Sequence, residues 1–277
     1  MAAVVAVNPE IVTYTFMIGV IAGDVIGSRF EWAPIKTIDF PLFHPLCSFT
    51  DDTVLTVATA SAILRGAPFD EMYLDFGRRY PSAGYGGNFR KWLAATEPRP
   101  YNSYGNGSAM RVAPVGWACA DEPSVLREAE RSAAVTHDHP EGVKGAQATA
   151  LAVFMARRGA SKEEIRGAIA DRFGYDLNRT TGQIRPTYHF DVTCQGTVPE
   201  SLIAFFESTD YESAVRLAIS LGGDSDTLAA ITGGVAHAFY RVMPDSIVQE
   251  VRGRLPEEFL RVLDEFERKF GVAGWDS

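Results

Sequence analysis

Cysteine is scarce in this chain of 277 residues: Cys47, Cys119 and Cys194 lie far apart and form no C-x-x-C pair. That excludes a disulfide framework and points to a reducing compartment. Positive charge is also short. Lys and Arg number 26 against 35 Asp and Glu, a net charge of −9, which argues against general attraction to nucleic acid. A phosphorylated ligand remains compatible, because a bound divalent cation reverses the local field. Long apolar runs are missing as well. The stretch from Ile11 to Gly23 is too short to span a bilayer and runs into Asp24, while the opening MAAVVAVNPE lacks the basic region of a signal peptide. The expectation is a cytoplasmic protein without a membrane partner.

Several catalytic signatures are absent too. No H-E-x-x-H or G-x-S-x-G motif occurs, which removes the zincin and α/β-hydrolase readings. There is no Walker A loop, and G-x-G without its third glycine makes no dinucleotide fingerprint. No βαβ spacing, repeat, linker or low-complexity tract appears, so a parallel sheet is disfavoured and one domain over 1–277 is expected.

What is present is helical periodicity over an ordinary globular composition, 46% hydrophobic and 22% charged. Phe259, Val262, Leu263, Phe266 and Phe270 recur at helical spacing after Pro256. The pattern also predicts helices over roughly 12–27, 52–65, 69–80, 86–95, 124–135, 141–158, 161–172, 199–208, 210–220, 226–241 and 244–251. Segments 32–51, 96–108 and 173–198 read as loops, and within the last Phe190-Asp191-Val192-Thr193 has the composition of a short strand.

Two helix starts are unusually acidic. Phe49-Thr50-Asp51-Asp52-Thr53 opens one helix and Gly222-Gly223-Asp224-Ser225-Asp226-Thr227 opens another. Capping and the helix dipole account for either start alone. Together they supply more carboxylates than capping requires. If they meet in the fold, each pair at about 5 Å repels by roughly 3 kcal/mol at an effective dielectric near 20, and the cluster needs a cation. The all-oxygen donor set favours Mg²⁺, Mn²⁺ or Ca²⁺ over zinc. An EF-hand is excluded, because Ala229 and Val235 stand where that loop needs Gly and Glu.

Between these starts lie two glycine loops. Tyr101-Asn102-Ser103-Tyr104-Gly105-Asn106-Gly107-Ser108 suits either a plain turn or a close backbone approach to phosphate, with Tyr104 available to stack on a base or ribose. Gly84-Tyr85-Gly86-Gly87-Asn88 reads as a flexible turn. Glu31, after Gly27-Ser28-Arg29-Phe30, sits at a helix C-terminus, where the dipole disfavours a carboxylate. In Thr136-His137-Asp138-His139-Pro140-Glu141 the two histidines have metal-pair spacing, but Pro140 and Glu141 also make an ordinary helix start, and ligand contact fits better than metal binding.

The motifs GDVIGSRFE, FTDDT, GYGGNF, SYGNGSAMR, THDHPEG and GGDSDT, running in this order from residue 23 to 227, resemble the ADP-ribosylglycohydrolase family, which includes bacterial dinitrogenase reductase-activating glycohydrolases. The resemblance implies an all-α, compact orthogonal multi-helix domain with a dinuclear Mg²⁺ or Mn²⁺ centre between the acidic starts. It implies Thr50, Asp51, Asp52, Asp224, Asp226 and Thr227 as metal ligands and Glu31 as the acid that closes the site. Ser103, Tyr104, Gly105, Asn106 and Gly107 would hold the diphosphate and distal ribose, His137 would approach the ligand from another side, and Gly84 to Gly87, including Gly86, would complete the wall. The expected substrate is ADP-ribose joined to a protein side chain, nucleic acid or small molecule. An activated water would cut the glycosidic bond, with Asp51 or Asp226 as base and Glu31 orienting substrate or assisting the leaving group. Two alternatives stand beside it: a non-catalytic, crystallin-like or ADP-ribose-binding relative, and a two-metal phosphatase or nucleotide hydrolase.

Overall fold

A computed structural model describes residues 17–271. Residues 12–16 of the first expected helix, and the N-terminal segment read for a leader, lie outside the described residues. Among the described residues fifteen α-helices follow one another. The first seven are α1 (Ile18–Gly27), α2 (Asp51–Arg65), α3 (Phe69–Arg79), α4 (Gly87–Ala94), α5 (Gly107–Met110), α6 (Ala113–Ala118) and α7 (Glu122–Ala134). The rest are α8 (Pro140–Arg157), α9 (Lys162–Phe173), α10 (Thr181–Ile184), α11 (Cys194–Glu207), α12 (Tyr211–Ile219), α13 (Ser225–Tyr240), α14 (Asp245–Arg252) and α15 (Glu257–Phe270). The fold is all-α.

Three corrections to the sequence reading follow. The short strand at 190–193 is absent; Thr193 makes only an isolated antiparallel bridge with Gly105, because its hydroxyl then accepts from Gly196 N–H and caps α11. That helix starts at Cys194, not 199, and carries Pro199 inside it. The loops 96–108 and 173–198 are interrupted by α5 and α10, too short for a periodic signal, and α6 follows α5 at once.

The centre of the molecule is the pair α1 and α13. Every residue of α1 is buried, as is α13 from Ser225 to Ala238. Gly19, Gly23 and Gly27, one turn apart, form the contact face of α1. A Cβ on Gly23 would lie 2.0 Å from the Ala229 carbonyl oxygen, and one on Gly27 would lie 2.4 Å from that of Ser225. Small residues at this crossing let the two backbones touch. The approach at Gly27 sets the C-terminal end of α1 against the first turn of α13.

The same α1 also fixes α2. Asp24, fully buried, accepts from Thr50 N–H at 2.9 Å and Thr53 N–H at 3.0 Å, and from Thr50 Oγ1 at 2.8 Å. A fourth bond comes from Thr53 Oγ1. Thr50 caps α2 conventionally, accepting from Asp52 N–H, and Gly66 ends that helix in the left-handed region with φ 63°. Amphipathic α15 closes the outside, burying Phe259, Val262, Leu263 and Phe266, with Phe259 against Phe49 and Tyr80.

Candidate active site

Because α1 grips both, the two acidic helix starts meet. Thr227 Oγ1 on α13 donates to Asp52 Oδ2 on α2 at 3.2 Å. Glu31, Asp224 and Asp226 each place a carboxylate oxygen within 4.8 Å of the others. Asp51, Asp52, Asp224 and Asp226 all feel one another's charge or that of Glu31. Burial and then repulsion move Asp51 up to about 8, Glu31 to about 7, and Asp52 and Asp226 well above the usual carboxylate range, while burial raises Asp224 against hydrogen bonds from Asp226, Asn106 and Thr227. Asp24 is raised by burial to about 6 against the four hydrogen bonds that favour its charge. Among the described residues no Lys or Arg forms a salt bridge with these acids, and Asp52 Oδ1 is buried without a hydrogen-bond partner. A buried set of acids with an orphaned oxygen fits a hard divalent cation; Asp51, Asp52, Asp224, Asp226, Glu31 and the hydroxyl oxygens of Thr50 and Thr227 are donors of the kind it takes.

These acids form the floor of a cleft of about 430 Å³, a volume suited to a small-molecule ligand. One wall is the loop of Gly84, Tyr85, Gly86 and Gly87. Gly84 has φ 103°, and a Cβ there would lie 3.3 Å from Asp51 Oδ1, so both conformation and space call for glycine. The opposite wall holds Ser103, Gly105, Asn106, Gly107 and His137, and Trp32, Phe190 and Val192 stand at the rim.

Within this frame the sequence-derived residues divide. Asn106 Nδ2 donates to Asp224 Oδ2 at 2.7 Å and to Thr197 Oγ1 at 3.1 Å, so its amide braces an acid of the floor. Ser103 Oγ accepts from Gly105 N–H and shapes the loop. Tyr104 turns outward, 48% exposed, with its ring edge-on to His139 at 5.2 Å rather than along the cleft. Thr50 stands behind the floor, its hydroxyl donating to Asp24. His139 Nδ1 accepts from Glu141 N–H and serves α8 as its cap, while His137 lines the cleft. Glu31 sits among the acids of α13 themselves.

Sequence reasoning assigned no role to two residues that the geometry makes prominent. Asp24 was legible as a lone acid inside an apolar helix. Trp32, 80% exposed beside Glu31 and stacked on Phe190 at 5.6 Å, gave no signal, because its partner lies in a loop 158 positions on.

An acidic, metal-competent floor beneath a glycine-walled cleft is the kind of site that metal-dependent hydrolases use. The chain belongs to the ADP-ribosylglycohydrolase family, whose family model matches residues 14–274. Among its relatives, ADP-ribosylhydrolase ARH3 of Mus musculus is 30% identical over 271 residues, covering 74% of this chain and 73% of that protein. ADP-ribosylarginine hydrolase Tri1 of Pseudomonas putida (strain GB-1) is 29% identical over 168 residues, covering 58% of this chain and 44% of that protein. A solved structure described as an ADP-ribosylglycohydrolase-related protein complex superposes with a TM-score of 0.72 at 26% identity, covering 92% of this chain and 97% of its own.

Proposed function

We propose that the chain hydrolyses the glycosidic bond between ADP-ribose and an acceptor, releasing ADP-ribose, with two Mg²⁺ or Mn²⁺ ions held between α2 and α13. The observation that carries this reading is the convergence of five buried or half-buried carboxylates, none in a salt bridge among the described residues, on the floor of one cleft. Asp51 and Asp52 would hold the ions from one side and Asp224, Asp226 and Thr227 from the other. Thr50 would add its hydroxyl oxygen while still donating to Asp24. When bound, such ions supply Lewis acidity that activates water and offsets the repulsion of the acids.

The chain's own groups then divide the work. Asp51 or Asp226 takes the proton from the attacking water, whose oxygen forms the new bond to the anomeric carbon. The bond from that carbon to the acceptor breaks through an oxocarbenium-like transition state, and Glu31 delivers a proton to the departing heteroatom. Asn106 keeps Asp224 in place, and the backbone of Gly105 to Gly107 receives the diphosphate. The names of the relatives support an ADP-ribosyl conjugate as substrate; arginine is the acceptor named for Tri1, and protein, nucleic-acid and small-molecule conjugates form the class proposed here.

Turnover of an ADP-ribosylated peptide with each metal, scored by product, tests this. Free ADP-ribose is the expected product. AMP or inorganic phosphate would indicate a phosphatase-type reaction on the same floor and overturn the reading.

A further inference from the structure

Arg111 is fully buried and has no carboxylate partner. Its guanidinium lies 4.1 Å from the Tyr73 ring centroid, and Nη2 donates to the Ser132 carbonyl at 3.1 Å and to Thr136 Oγ1 at 2.9 Å. Nε and Nη1 have no acceptor. A buried guanidinium kept this way has a large desolvation cost, so its one side-chain acceptor invites explanation. Thr136 Oγ1 in turn lies 2.7 Å from His137 Nδ1. His137 Nε2 faces the glycine loop: a Cβ on Gly107 would lie 3.2 Å from it and one on Gly105 3.5 Å.

Hydrogen counting decides the direction. A threonine hydroxyl has one hydrogen and two lone pairs, and Arg111 only donates. Arg111 fills one lone pair, and His137 Nδ1 at 2.7 Å is the acceptor within reach of the hydroxyl hydrogen, so that hydrogen goes to Nδ1. The polarity agrees: the lone pair of Nδ1, rather than an N–H, is the end of the ring that a nearby guanidinium attracts. Burial and the charge of Arg111 also hold the ring well toward its neutral form.

We propose that Arg111 and Thr136 are positioning residues that fix His137 as its Nε2–H tautomer, so that the neutral ring donates Nε2–H to a phosphate oxygen of ADP-ribose lying along Gly105 to Gly107. This deepens the functional reading above and rests on it for the identity of the ligand. With the other tautomer a nitrogen lone pair would face the same oxygen and repel it. The relay therefore selects an anion at this wall, opposite in sign to the cation-seeking floor beneath.

Long-range ¹H–¹⁵N correlation spectra of the full ¹⁵N-labelled chain report the tautomer directly, with His137 assigned by its loss in His137→Gln. The unmodified chain is expected to show a pyrrole-type Nε2 and a pyridine-type Nδ1. Thr136→Ser keeps both the spectrum and the affinity for ADP-ribose measured by calorimetry. Thr136→Val is expected to mix the tautomers, weaken ADP-ribose about tenfold through loss of one charge-assisted hydrogen bond, and raise KM while leaving kcat within about twofold. An Nδ1–H ring in the unmodified chain overturns the relay, as does a Thr136→Val protein with unchanged tautomer and affinity. Failure of the unmodified chain to bind ADP-ribose overturns both the donor role and the functional reading. That outcome differs from failure of the relay alone, in which the ligand binds and the ring carries its hydrogen on Nδ1.

Discussion

At the scale of single residues, charge placed against charge governs the site. Asp24→Ala would strand the buried N–H groups of Thr50 and Thr53 and release the start of α2. A loss of about 3 kcal/mol in urea unfolding is expected, together with loss of the Mg²⁺-induced rise in Tm. Asp226→Asn differs: it removes a like charge from an uncompensated cluster. Hydrolysis and the thermal shift by Mg²⁺ or Mn²⁺ should vanish while the metal-free protein keeps its Tm or gains slightly. An Asp226→Asn protein with an undiminished metal response contradicts the ligand assignment. The raised carboxylates also fix a pH dependence. Asp51, Glu31 and Asp24 stand at about 8, 7 and 6 when folded, above their unfolded values. The folded chain therefore holds more protons than the unfolded one between about pH 4 and 8, and its stability rises as pH falls through that window. Thermal melts of the metal-free protein should show Tm increasing from about pH 8.5 to about pH 5.5, with Mg²⁺ flattening the slope; a Tm that falls over this range would contradict it. The acids of α2 and α13 were visible in the sequence because each start carried more carboxylates than a cap needs. Asn106 was visible too, but as a ligand contact; that its amide reaches Asp224, 118 positions away, follows from the fold.

At the scale of elements, the site depends on how closely α1 lies on α13. Gly23→Ala would drive a methyl group into the Ala229 carbonyl, and backbone has little room to yield. About 3 kcal/mol of stability should be lost, the upper end of overpacking costs, with a weakened metal response because the first turn of α13 moves with it. Gly167→Ala in α9, whose Cβ would meet nothing within 4 Å, is the control and should be neutral or slightly stabilising. The rim is assembled differently. Trp32 stacks on Phe190, and Lys36 Nζ donates to the Tyr188 carbonyl at 2.6 Å, so two loops distant in sequence support each other beside Glu31. Long helices were readable because apolar periodicity accumulates over several turns, as in α15. The four-residue helices α5 and α10 carry no such signal, and the helix expected from 199 in fact starts at Cys194, capped by Thr193.

At the scale of the whole molecule, one buried cluster runs from Met17, just before α1, to Phe266 on α15, and no helix among the described residues is long and apolar enough to cross a membrane. We take the chain as a single domain, and calorimetry should show one transition that moves as a unit when Mg²⁺ is added. Helical content followed from periodicity and from the lack of βαβ spacing, and the all-α class from the family resemblance. The meeting of the acidic starts did not follow from either, because nothing local relates Asp52 to Thr227 across 175 positions; the glycine face of α1 brings them together. The test that bears most directly on the account is anomalous diffraction from crystals of the chain soaked in Mn²⁺. Two adjacent anomalous peaks between Asp51 and Asp52 on one side and Asp224 and Asp226 on the other are expected. A cleft floor without peaks, in crystals where manganese binds elsewhere, would contradict it.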